Sequence, residues 1–121
     1  MVTQSTALDI VKDYIHEIKA LGVKIHKAFL FGSFAKNKQH EWSDIDVALI
    51  ADDFIGITAL DKDRFRILHI LPKFMSIEAH TFSTKRLLES DTFIDEIKKT
   101  GIEIETENST PPGMIRDKSV F

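Results

Sequence analysis

An α/β fold is predicted for this chain by three observations. Short apolar runs of strand length alternate with segments of helical apolar spacing, glycines punctuate the boundaries, and the 121 residues suffice for one core but not for two. The predicted order is helix, strand, strand, helix, strand, helix, strand, giving four strands.

The first helix spans residues 4 to 21, where Leu8, Val11, Ile15, Ile18 and Leu21 recur at helical intervals. Ser5 or Thr6 is available as its N-cap, and Gly22 as its stop. Residues 24 to 31, KIHKAFLF, form an apolar run too short for a buried helix and closed by Gly32, which predicts a central strand. Residues 44 to 50, DIDVALI, begin polar and become apolar, as expected of a second strand whose entrance carries carboxylates. A second helix is predicted over residues 60 to 71 from Leu60, Phe65, Leu68 and Leu71, ended by Pro72. The third strand lies within MSIEAHTF, and a further helix covers roughly residues 84 to 99, stopped by Gly101. IEIET then alternates apolar and acidic residues, the pattern of a final edge strand. This divides the chain into a domain over residues 1–107 and a flexible C-terminal tail over 108–121, where Pro-Pro-Gly and polar neighbours show no periodicity.

Composition narrows the chemistry. The chain has no cysteine, so disulfides and thiolate metal sites are excluded and any metal must be held by oxygen or imidazole ligands. A net charge of -3 disfavours broad non-specific binding to nucleic acid, which needs a concentrated basic surface, so no direct nucleic-acid contact is expected. No apolar run approaches membrane-spanning length, and the N-terminus lacks the layout of a secretory signal, so no membrane association and a cytoplasmic location are expected.

The segment FLFGSFAKNKQHEWSDIDVALI carries the densest signal. Gly32 permits close backbone approach to a phosphate, and Ser33 offers a hydroxyl and an amide at the predicted start of a short helix, a favourable place for an anion. Ten residues on, Asp44 and Asp46 open the next strand, and the two-residue pleat sends both carboxylates to one face while Ile45, Val47 and Leu49 go to the other. Such a pair suits magnesium, which is commonly held by one or two carboxylates together with substrate phosphates. Four fixed residues in this arrangement should coincide by chance about one time in a thousand.

With these residues identified, GSFAKN followed by WSDIDVALI resembles the signature of the nucleotidyltransferase superfamily related to DNA polymerase beta, specifically its minimal, single-domain members. The likeness covers roughly residues 20 to 105. Asn37 stands where the family usually has glycine, a mild departure because asparagine tolerates left-handed backbone angles. The resemblance implies an α/β (α+β) domain with a small mixed sheet of about four strands and helices packed on one face. It also implies a third carboxylate, for which Glu78 in FMSIEAHTF has the matching setting.

The implied reaction is transfer of AMP from ATP. Asp44, Asp46 and Glu78 would act as metal ligands and catalytic carboxylates, and Gly32 and Ser33 would hold the phosphates. Lys36 is either a further phosphate contact or an exposed lysine. Two Mg2+ ions, with Mn2+ as the alternative, would lie about 4 Å apart and clamp the attacking oxygen and the leaving pyrophosphate. Minimal members of this family often stand beside a small helical HEPN protein as a toxin and antitoxin pair, in which the transferase adenylylates a toxin tyrosine. Two other readings remain: a non-catalytic antitoxin that neutralises its partner by contact, and a small-molecule transferase of the antibiotic-modifying kind. The second is weakened because the chain has no room for the helical domain that shapes such an acceptor pocket. His80 shares a strand face with Glu78, either as a ligand or substrate contact or as a structural histidine. Trp42 either stacks on a base or partner or packs over the sheet end.

Overall fold

The computed structural model describes residues 2–67, 72–89 and 91–106. Helix α1 runs over Gln4–Ala20 and is capped by Thr3, whose side chain accepts from the Thr6 amide. The cap is therefore Thr3 rather than Ser5 or Thr6, which both lie inside the first turn of a helix that begins at Gln4. At the other end, the Leu21 and Gly22 amides bond back to Ile18 and Lys19, and Gly22 takes a φ of 97°, as a left-handed terminator should. Val11, Ile15 and Ile18 are buried together with Ala7 and Tyr14, whereas Leu21 is half exposed.

The four strands are β1 (Lys27–Phe31), β2 (Ile45–Ala51), β3 (Ile77–Ser83) and β4 (Ile102–Ile104), in the order β3-β2-β1-β4. β1 is antiparallel to both β2 and β4, and β2 is parallel to β3, which makes the sheet mixed. The predicted central and edge positions of the first and last strands are observed. On β2 every residue except Asp46 is buried, the near-continuous apolar character expected of a strand covered on both sides.

Helices cover both faces, where one had been expected. Ile45, Val47 and Leu49 pack with Ala28, Leu30 and the apolar stripe of α1. The alternate residues Ala48 and Ile50 pack with Phe29, Phe82, Leu87, Ile94 and Ile97. Leu87 belongs to α3 (Thr84–Leu88), and Ile94 and Ile97 belong to α4 (Thr92–Thr100). These two replace the single helix predicted over residues 84 to 99. Ser83 caps α3, and Asp91 caps α4 by accepting from Ile94 at 3.0 Å while also receiving Arg86 Nε at 2.6 Å. The Arg86 hydrogen bond, with the amide of Ile94, holds the Asp91 carboxyl below its ordinary range. A new helix start therefore interrupts the run.

Helix α2 spans only Thr58–Arg64 and then turns through a left-handed Arg66. It is shorter than the predicted 60 to 71, and its buried residue is Asp61, while Leu60 is exposed. Leu68 and Leu71 lie outside the described residues, as does the predicted tail from 108 onward. The reason for the inversion is a buried polar knot. Asp61 Oδ1 accepts from the Ile55 amide at 3.0 Å, and Oδ2 accepts from the Gly56 amide at 3.0 Å and from the Thr81 hydroxyl at 2.7 Å. Thr58 Oγ1 accepts from the Thr81 amide at 3.1 Å. The knot fastens the exit of β2 to the middle of β3. Asp61→Ala takes the acceptor from two part-buried amides and from the buried Thr81 hydroxyl, and the expected loss is about 3 kcal/mol in urea unfolding. A loss below about 1 kcal/mol would show that water replaces the carboxylate. Among the described residues, no helix is long and apolar enough to cross a membrane.

Candidate active site

β1 ends at Phe31, and Gly32 follows with a φ of 75°, a left-handed conformation. Beyond it the chain forms consecutive turns, closed by Lys36 N to Gly32 O at 3.2 Å, Asn37 N to Phe34 O at 3.2 Å and Lys38 N to Ser33 O at 2.8 Å. The short helix expected to begin at Ser33 is thus a chain of turns. Its anchor is Phe34, buried in the α1 side of the core, while Gln4 of α1 donates to the carbonyls of Phe34 at 2.9 Å and Ala35 at 3.2 Å. Asn37 takes a φ of 56°, the left-handed role its substitution for glycine implied. Ser33 is half-buried, and Lys36 is exposed on the turn.

The returning loop is held by the His40 amide donating to Ser43 Oγ at 2.9 Å and by Ser43 N to His40 O at 3.0 Å. Trp42, at the tip, is 81% exposed and so does not pack over the sheet end. Ile45 N bonds to Ser76 O at 2.8 Å, which aligns the entrances of β2 and β3.

This alignment gathers the predicted residues. Asp46 lies opposite Phe31 on β1 and opposite Glu78 on β3, with Asp44 just before β2. Gly32, Ser33, Asp44, Asp46 and Glu78 therefore meet at one end of the sheet. Asp44 and Glu78 are exposed, whereas Asp46 is half-buried. Burial raises the Asp46 carboxyl above its ordinary value, and the negative charges of Asp44 and Glu78 push the same way, against an opposing pull from His80. Among the described residues, no three His, Asp or Glu side chains are gathered closely enough to grip a metal ion by themselves. The carboxylates share one end of the sheet and one electrostatic field without forming a closed protein cage.

Two contacts of Asp46 were not legible in the spacing. A Cβ on Gly32 would stand 2.4 Å from Asp46 Oδ2, so only glycine leaves room for this carboxylate. On the other flank, His80 Nε2 lies 3.6 Å from Asp46 Oδ1. Phe31 and His80 meet edge-on with ring centroids 5.2 Å apart, and Phe93 joins from α4 at 5.9 Å from Phe31. The two-residue step from Glu78 marked the His80 face, but its contact with Asp46 depends on the β2–β3 register.

Residues 13–110 match the family model described as Polymerase beta, Nucleotidyltransferase. The chain belongs to this family. It is a nucleotidyltransferase, and the Gly32–Ser33 turn and Asp44-x-Asp46 pair sit inside the matched region. A Methanocaldococcus jannaschii protein named "Putative protein adenylyltransferase" is 26% identical to it over 101 residues, covering 80% of this chain and 97% of that protein. The crystal structure of a "putative nucleotidyltransferase" from Sulfolobus solfataricus superimposes with a TM-score of 0.60 at 15% identity, covering 86% of this chain and 84% of that one. That likeness concerns the fold alone.

Proposed function

We propose that this nucleotidyltransferase moves AMP from ATP to a hydroxyl of a partner protein, a tyrosine of a HEPN toxin, and so acts as the antitoxin of the pair. The observation that carries the transfer is the meeting of Asp44, Asp46 and Glu78 beside the Gly32–Ser33 turn at one sheet end. The name of the Methanocaldococcus relative supports a protein acceptor, and the exposure of Asp44 and Glu78 suits one that must reach the carboxylates from outside.

The acidic, all-oxygen donor set fits Mg2+, with Asp44, Asp46 and Glu78 as its ligands. When bound, the metal neutralises phosphate charge and polarises the phosphoryl group. The acceptor oxygen attacks the α-phosphorus as the bond to the β-phosphate breaks and pyrophosphate leaves. Glu78, on the strand beside Asp46, takes the proton of the incoming hydroxyl. The Ser33 hydroxyl and the backbone of the Gly32 turn hold the outer phosphates, and Lys36 on the same turn adds positive charge. In this arrangement the protein's contribution is positioning and charge complementarity.

Mg2+ and ATP together are expected to raise the melting temperature, since a ligand that binds only the folded state contributes about 2.7 kcal/mol at 100 times its Kd. ATP with a chelator should give a much smaller shift. Equal shifts in both conditions would remove the metal-bridged reading. Incubation with labelled ATP and a HEPN-type helical protein as candidate partner should then label that protein on tyrosine. Metal-dependent ATP binding with no labelled product would favour an antitoxin that works by contact.

A further inference from the structure

We propose that His80 is a positioning residue for Asp46, its imidazole Nε2 fixing the direction in which the carboxylate presents its oxygens to metal and phosphate. The inference rests on the reading of Asp46 as a ligand.

Asp46 lies on β2, between β1 and β3, and each neighbouring strand limits one of its oxygens. From the β1 side, Gly32 stands so close to Oδ2 that a methyl group there would fall at 2.4 Å. From the β3 side, His80 Nε2 faces Oδ1 at 3.6 Å, a few tenths of an ångström beyond a hydrogen bond. That nitrogen is buried and has no hydrogen-bond partner among the described residues. Buried polar atoms are nearly always satisfied, so a lone one beside a carboxylate marks a contact completed by a small movement. The ring's direction is set by Phe31, which meets it edge-on at an interplanar angle of 61°. Ala48, the register partner of His80 and the residue two positions beyond Asp46 on the same side of β2, is small and buried. A nitrogen that holds a ligating carboxylate from behind orients the ligand without touching the metal, and losing such a support typically costs about 10- to 100-fold in metal affinity.

The test is calorimetric titration of Mn2+ into the full chain with an ATP analogue whose α,β-bridge cannot be cleaved, with Trp42 fluorescence as a second readout of binding. His80→Phe keeps a ring against Phe31 but removes the nitrogen. It should weaken Mn2+ binding by at least about tenfold with little change in melting temperature. His80→Gln, whose amide nitrogen reaches about as far as Nε2, should bring affinity back to within about threefold of the parent. If His80→Phe is unstable, His80→Leu serves the same comparison. Parent-like Mn2+ affinity in His80→Phe, or a loss in His80→Gln as large as in His80→Phe, would overturn the assignment. If the parent itself binds no Mn2+, the metal reading falls and takes this inference with it; parent binding that the variants match overturns the His80 role alone.

Discussion

Asp46→Asn is expected to lower nucleotide transfer by at least about 100-fold, the scale of losing one group aimed at developing charge, while leaving the metal-free protein at least as stable as the parent. The two effects have one cause. Burial and the neighbouring Asp44 and Glu78 raise the Asp46 carboxyl above its ordinary value of 3.8, and His80 only partly opposes them. A carboxyl whose pKa is raised on folding binds its proton more tightly in the folded than in the unfolded state. Stability therefore declines as pH rises from that ordinary value through the folded one, and the penalty is complete above the folded value. Asparagine keeps the shape and removes the penalty. Urea unfolding in chelator should show the variant equal to or above the parent at neutral pH, with the difference closing in acid. A clearly weaker variant at neutral pH would mean that protein hydrogen bonds hold Asp46. Retained transfer would remove its catalytic role.

Gly32→Ala should damage both stability and transfer, for separable reasons. The residue has a φ of 75°, which costs an L-residue roughly 1–2 kcal/mol. Its new methyl group would also lie 2.4 Å from Asp46 Oδ2 and 3.3 Å from Cγ, so the carboxylate must swing away. A displacement of about 1 Å at a reacting centre is enough for a 100-fold loss in rate. Gly22→Ala is the control, since it has a φ of 97° with nothing within 4 Å of the added methyl. It should show a comparable stability loss by unfolding with transfer intact. Parent-like transfer in Gly32→Ala, or an equal loss in Gly22→Ala, would show that the Gly32–Asp46 contact does not matter for the reaction.

Where the sequence succeeded, local chemistry was enough. The run ending at Gly32, the polar entrance at Asp44 and the alternation in IEIET predicted β1, β2 and β4, because strand length and pleat are properties of a few neighbouring residues. Asn37, where the resembled family has glycine, takes the left-handed backbone that asparagine tolerates. The failures were tertiary or capping effects. Leu60 looked like the apolar face of α2, yet Asp61 is buried because its acceptors meet donors from the β2 exit and from Thr81 on β3. The helix predicted over 84 to 99 divides because Asp91 caps a new start and holds Arg86.

For the site, the sequence by itself determined which residues could do chemistry: Gly32 and Ser33 at a strand end, Asp44 and Asp46 on one pleat face, and Glu78 two positions before His80 on another strand. Only the tertiary structure decided that Asp46 stands between Glu78 and Phe31, that its carboxylate fits because Gly32 lacks a Cβ, and that His80 faces it from the other flank. The physical reason is that residue spacing specifies direction along one strand, whereas the neighbours of a side chain depend on strand order and register, and those are set when the apolar faces of all four strands are buried together.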